Sequence, residues 1–352
     1  MQVFWFIAIA LFFTGFFVLE GFDFGVGMLH GMVGKTDDER RLAINTIGPL
    51  WDGNEVWLIV AGAAMFAAFP SWYATMFSGL YLALVLVLVA LILRGVSFEY
   101  RGKRDAIRWR RTWDWSMTLG SLVAPLLIGV ALGDLLHGLP IAQNQEYTGS
   151  FWDLLTPYGV FVGLTIVSIC VVHGATFIAL KTVGEVRERA GKIARQAAPV
   201  TALVVLVFAV WTQVMIDRGA IPGLIQITAV LAVIAVAWLI REGHEGWAFT
   251  MTTIAMAATI LTIFVDLYPR VMVSSTNAAY NLTVKNTSSS PYALKVLTIV
   301  AVIFFPIVVV YQAWTYHVFR RRIGSSDLER QEPEDSSGTG PRVKPAETTA
   351  SE

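Results

Sequence analysis

The chain has 352 residues, 55% of them hydrophobic and 15% charged, with a mean hydropathy of +0.61 and a formal net charge of zero. A soluble domain carries about 25% charged residues, so this composition points instead to a polytopic membrane protein. Neutral net charge removes any case for nucleic-acid binding, and a single cysteine in an apolar run, Cys170, excludes a disulfide framework or a thiolate metal site.

Nine apolar segments are long enough to cross a bilayer at roughly 20 residues each. They cover residues 3–30, 48–69, 75–98, 113–137, 156–181, 199–216, 221–240, 247–268 and 293–319. The start, Met1-Gln2-Val3-Phe4-Trp5, has neither a basic n-region nor a cleavage site, so the first segment reads as a membrane helix. Its glycines at Gly21/Gly25 and Gly27/Gly31 form small-xxx-small pairs that let a neighbouring helix approach closely. Trp5, Trp72, Trp113, Trp115, Trp152, Trp247 and Trp314 fall near segment ends, as interfacial aromatics do.

The first two segments carry an unusual cargo. Glu20 and Asp23 lie three apart in the first; Asp52 and Glu55 lie three apart at the start of the second, beside Trp51, Asn54 and Trp57. Residues three apart share a helix face. Ionisable groups at membrane depth are costly and count as functional candidates. No lysine or arginine lies within these two segments to pair with them. Carboxyls buried without a cation can take up and release protons near neutral pH, so the four acids are expected to form a proton entry path. The plainer reading makes Asp52 a helix N-cap and Glu55 a partner of backbone amides.

Basic residues then orient the chain. All 26 lysines and arginines except Arg218, Arg270, Lys285 and Lys295 fall on one side of the nine-segment topology. That side is expected to be cytoplasmic, with the N-terminus outside and the C-terminus inside. On this count Arg94 belongs to the basic connection that runs on to Trp113-Asp114-Trp115, a stretch suited to anionic headgroups or to docking another subunit. Asn281-Leu-Thr and Asn286-Thr-Ser on the opposite side match glycosylation patterns, which in a bacterial chain are merely polar loop. Asp134 and Asp266, near outer helix ends, read as interfacial. Residues 1–322 form the transmembrane domain, and 323–352, rich in Ser, Pro, Glu and Thr, read as a disordered cytoplasmic tail.

Of the five histidines only His173 sits in mid-segment, and no two have i,i+3 or i,i+4 spacing. A lone membrane histidine is more often hydrogen-bonded to a neighbouring helix than bound to iron. No phosphate loop, nucleophile elbow or metal motif is present.

Several stretches resemble subunit II of cytochrome bd-type quinol oxidases. They are Glu20-Gly-Phe-Asp23-Phe-Gly-Val-Gly27-Met-Leu, Trp51-Asp52-Gly-Asn54-Glu-Val-Trp57-Leu-Ile, Phe98-Glu-Tyr-Arg101, Trp109-Arg110-Arg111-Thr-Trp113-Asp114-Trp115, Gly129-Val-Ala-Leu-Gly133, Trp247-Ala-Phe249 and Val271-Met-Val-Ser-Ser-Thr276. The resemblance runs from the first segment to the last. It implies an all-α fold of nine transmembrane helices, as two four-helix bundles plus a peripheral helix, in the bacterial cytoplasmic (inner) membrane.

It further implies a complex that oxidises quinol, reduces dioxygen to water and takes the protons from the cytoplasm. Haems b and d would belong to the partner, subunit I. This chain would carry no haem ligands and no metal, and would place Asp23, Asp52 and Trp51 on the proton pathway, with Glu20 and Glu55 beside them. A structural quinone, lipid and small single-helix subunits are the further partners implied. The sequence departs from the family where Glu20 replaces an expected Asp, at His173, and in the short connection 217–222. A proton-coupled secondary transporter is the alternative that the acids alone would allow.

Overall fold

The computed structural model describes residues 1–216 and 220–324 and is built almost entirely of helices. In chain order they are α1 (Gln2–Val33), α2 (Asp37–Asn45), α3 (Trp51–Ala68), α4 (Pro70–Gly79), α5 (Tyr81–Tyr100), α6 (Ile107–His137), α7 (Pro157–Lys181), α8 (Gly184–Ile216), α9 (Ala220–Arg241), α10 (Glu245–Leu267) and α11 (Pro291–Val318). Among the described residues eight helices, α1 and α5 to α11, are long and apolar enough to cross a membrane. The ninth expected segment is α3, whose 18 residues begin with Trp51, Asp52, Asn54 and Glu55. Those polar residues in its first turn make it less apolar than its neighbours.

The structure changes two expected segments. The single span 75–98 is broken, because α4 ends at Gly79 and α5 starts at Tyr81. Pro70 opens α4 at its first turn, where a missing N–H costs nothing. The segment 199–216 is the outer part of a longer helix, since α8 starts at Gly184 and carries Pro199 inside it.

Helices α1, α3, α5 and α6 form one bundle and α7, α8, α9 and α10 a second, joined where α1 and α6 pack on α7. Helix α11 stands outside, packed on α3, with only 6% of its most apolar window buried. Small residues set the joint between the bundles. A Cβ on Gly25 would run into the backbone of Cys170 and Gly174 of α7, and Gly27 sits against Ser121 of α6. Gly129 and Gly133 of α6 face Gly163 and Gly159 of α7 in the same way. Gly31 is the exception, with nothing within 4 Å of the Cβ position.

At the end opposite the basic residues, β1 (Arg270–Met272) and β2 (Leu282–Thr283) pair antiparallel. Ser274 Oγ donates to Ile141 O at 2.9 Å, and Asn281, from the glycosylation-like pattern, accepts the Ser274 amide at 2.7 Å. At the basic end, the amide of Ile323 donates to Lys181 O at 2.8 Å, so the described chain stays attached past residue 322. The rest of the expected tail, 325–352, and residues 217–219 of the short connection lie outside the described residues.

Candidate functional site: a buried acid cluster around Arg94

Glu20 and Asp23 project from the middle of α1 and are fully buried. Across from them, α3 brings Asn54 and Glu55, and α5 brings Arg94, itself 0% exposed. One guanidinium nitrogen serves two acids: Arg94 Nη1 pairs with Glu20 Oε1 and reaches Glu55 Oε2 at 3.2 Å. The expectation that these acids lack a cation is therefore corrected. Arg94 falls inside the expected span 75–98, but sorting the basic residues by side counts it with the connection that follows. It lies instead within α5, six residues before the helix ends and so roughly 9 Å inside it. A single arginine inside Leu91-Ile92-Leu93-Arg94-Gly95-Val96 was the signal that could have found it.

Aromatic rings hold the guanidinium. Its carbon lies 4.9 Å from the Phe24 ring centre, 5.5 Å from Phe98 and 6.0 Å from Trp51. Trp51 and Phe98 are stacked at 4.7 Å and 7°, which places Trp51 as a flat wall beside the cation. Gly120 of α6 backs the same turn, where a Cβ would press on Ala90 O and Arg94.

A second set of contacts fixes Asp23. Asn54 Nδ2 donates to Asp23 Oδ2 at 2.7 Å and to Leu19 O at 3.2 Å. Asn54 Oδ1 accepts from Gln312 Nε2 at 2.8 Å and from the Tyr316 hydroxyl at 2.9 Å. Two donors from α11 thus settle which end of the Asn54 amide faces the acid. Sequence reasoning named neither Gln312 nor Tyr316. Their signal is weak, two polar residues one turn apart near the end of an otherwise apolar helix.

Arg94 Nε and Nη2 have no hydrogen-bond partner among the described residues, and the Glu20 and Asp23 carboxyls are close enough for one, when protonated, to donate to the other. Buried polar atoms are nearly always paired, so two unpaired on one guanidinium mark a site rather than packing. The structure does not bring all the expected residues together. Asp52 lies on the exposed face of α3 and makes no side-chain hydrogen bond or ion pair among the described residues, so neither an N-cap nor a fourth buried acid is found there.

The other candidates resolve into packing. His173 bridges helices, with Nδ1 2.7 Å from Thr252 Oγ1, Nε2 3.1 Å from Val18 O, and its ring stacked on Phe249 at 4.7 Å. Asp134 and Asp266 lie near the ends of α6 and α10, as expected, and are buried within the protein at 0% and 2% exposure. Asp134 Oδ1 accepts from Thr156 Oγ1 at 2.5 Å where α7 begins, while its Oδ2 has no hydrogen-bond partner among the described residues. Among the described residues no group of three His, Cys, Asp or Glu could hold a metal ion.

The model of the cytochrome bd terminal oxidase subunit II family matches residues 1–319. Cytochrome bd ubiquinol oxidase subunit 2 of Bacillus subtilis (strain 168) is 45% identical over 327 residues, covering 92% of this chain and 97% of the relative. Cytochrome bd-I ubiquinol oxidase subunit 2 of Escherichia coli (strain K12) is 38% identical over 367 residues, covering 94% and 97%. The bd oxidase structure from Geobacillus thermodenitrificans shares the fold, with a TM-score of 0.74 at 17% identity over 90% of this chain and 98% of that one. With a family model spanning every described helix and relatives matched over nearly their whole length, this chain belongs to the cytochrome bd terminal oxidase subunit II family.

Proposed function

We propose that this chain pairs with a haem-bearing subunit I and conducts protons from the basic face toward the partner's oxygen-reducing centre, with quinol as electron donor. The observation that carries the reading is the charge count of the buried cluster: Glu20, Asp23 and Glu55 meet one cation, Arg94. Net charge in a low-dielectric interior is costly, and mobile protons are the simplest counter-charge for the surplus carboxyls. Glu55, with 23% of its side chain exposed, is the entry; Arg94 links it to Glu20, and Asp23 follows one turn along α1. Asp52, exposed at the start of α3, gathers protons outside the cluster, and Trp51 screens Arg94 from lipid. Orientation follows the basic residues, with the N-terminus outside and the C-terminus cytoplasmic in the bacterial inner membrane.

Haems would supply the oxygen chemistry of such a complex, and the contacts of the two buried histidines among the described residues support placing them on the partner. Both His173 ring nitrogens are engaged, and His30 is held by Gly27 O at 2.8 Å and by Asp114 at 3.4 Å. The haems are therefore assigned to the partner.

The test is oxygen consumption and proton uptake by the complex bearing Glu20→Gln or Asp23→Asn, with haem absorption spectra and subunit stoichiometry as controls. Losing a positioned proton carrier is expected to slow turnover by roughly 100-fold while the spectra stay normal. Unchanged turnover in both variants would assign the cluster to structure alone.

A further inference from the structure

We propose that the cleft between the basic-face ends of α1 and α6 binds the phosphate headgroup of an anionic glycerophospholipid. The proposal is independent of the proton path. It starts from a change in helix spacing. Gly27 of α1 is pressed on Ser121 of α6, but one turn on, Gly31 has nothing within 4 Å of its Cβ position. The two helices are pinched at the first point and apart at the second. The cavity that opens there is about 710 Å³.

Its floor is already neutralised. Asp114 pairs with Arg101 at 2.5 Å and Arg40 at 3.2 Å, and Asp37 pairs with Arg101 at 2.6 Å and Arg110 at 2.8 Å. Lys35 and Arg111 also line the cleft, are exposed, and make no ion pair among the described residues. Two cations are thus left without an acid at the mouth of a site whose acids are all matched.

The rim is apolar. Met32 is 64%, Trp115 56% and Ile107 83% exposed, all at the ends of membrane-spanning helices. Large apolar side chains at that depth belong at the boundary of headgroup and acyl chain. Unpaired cations above an apolar rim complement an amphiphile with a net negative headgroup. A free phosphate would use only the cations, and a zwitterionic lipid would bring an ammonium that cancels their attraction.

The test uses the assembled oxidase complex in phosphatidylcholine vesicles containing a few per cent of phosphatidylglycerol with a photoreactive acyl chain, cross-linked peptides being read by mass spectrometry. Labelling is expected to concentrate on residues 28–35 and 107–118. Each cation near a membrane surface contributes about fivefold, so Lys35→Gln/Arg111→Gln should cut labelling roughly 30-fold. Lys35→Arg/Arg111→Lys should keep most of it, and Lys192→Gln/Arg195→Gln, exposed on α8, should not change it.

The wild-type complex alone can overturn the proposal. Equal labelling by a photoreactive phosphatidylcholine, labelling spread over all helix ends, or loss of labelling when millimolar inorganic phosphate is added would each do so, the last by assigning the cleft to free phosphate. Persistence of the signal in the double glutamine variant would do so as well.

Discussion

Two charged clusters lie within a few helical turns of each other and are built on opposite principles. At the basic face, Asp37 and Asp114 face Arg40, Arg101 and Arg110, and the acids are matched by surplus cations. Inside the first bundle, Glu20, Asp23 and Glu55 share one cation, Arg94, among the described residues, and the Glu20 and Asp23 carboxyls lie within hydrogen-bond reach of each other. The residue types are the same. What differs is water and the ratio of charges. Near solvent an extra arginine is cheap, and the cluster acts as a fastener between α2, the 101–103 turn and α6. At depth each charge must be matched or neutralised, so a deficit of cations leaves room for protons. The contrast separates a structural ion-pair lattice from the cluster for which a proton-carrying role is proposed.

Removing the cation of the inner cluster should break this contrast most severely. Arg94→Gln leaves Glu20 facing a cluster with no positive charge, and breaking a buried pair by removing one partner costs about 3–5 kcal/mol. Loss of the assembled complex, or a large fall in its thermal unfolding temperature in detergent, is expected. Glu20→Gln/Arg94→Gln should recover much of that loss, because it removes both charges together. If the single variant were as stable as the parent, Arg94 would be a solvated residue and the buried-cluster description would fail.

A smaller effect is expected from the contacts that fix Asp23. Asn54→Ala withdraws the donor at 2.7 Å from Asp23 Oδ2 and also strands Gln312 and Tyr316, at a cost of about 1–3 kcal/mol. Tyr316→Phe removes only one of the two donors to Asn54 Oδ1 and should cost about 0.5–1.5 kcal/mol. Chemical denaturation of the complex orders the two. Equal losses would mean that α11 reaches the acids by another route.

Much of this architecture was legible in the chain, for a physical reason. Apolar runs of spanning length, with basic residues sorted to one side, place helices without any knowledge of their packing. Glu20, Asp23 and Glu55 stood out because burial makes an acid expensive wherever its partners lie. Their partners were not legible. Arg94 is contributed by a helix that is not adjacent to α1 in sequence, and Tyr316 by the last helix, so no local spacing links either to Asp23. Asp52 illustrates the reverse error. Three-residue spacing puts it near the face of Glu55, but rotation of α3 about its axis, set by Asn54 and Ala61 packing inward, leaves it outside. The α4–α5 break escaped as well, because an interruption of one residue at Leu80 does not alter mean hydropathy.

The finest test lies on the basic face, where one ion pair joins the two bundles. Glu39 of α2 pairs with both terminal nitrogens of Arg189 of α8, and it also accepts the amides of Lys35 at 2.7 Å and Thr36 at 3.2 Å in the capping box that starts α2. The Arg189 hydrogen bonds, foremost, hold its carboxyl down at about 2, well below the ordinary carboxylate range. A group whose folded value is depressed adds stability that is fully present above the unfolded value of about 4.3, and that stability is lost as pH falls through the folded value. The pair is near solvent, with side chains 22% and 17% exposed, so screening keeps its contribution to about 1 kcal/mol or less. Thermal unfolding of the complex with Glu39→Gln should therefore lie slightly below the parent from pH 8 to pH 5. The gap should then narrow on acidification toward about pH 2 and shrink in high salt at neutral pH. A gap that widened with acid would mean that Glu39 is protonated in the folded chain, and the basic face would then hold a titrating site like the one proposed around Arg94 rather than a fixed lattice.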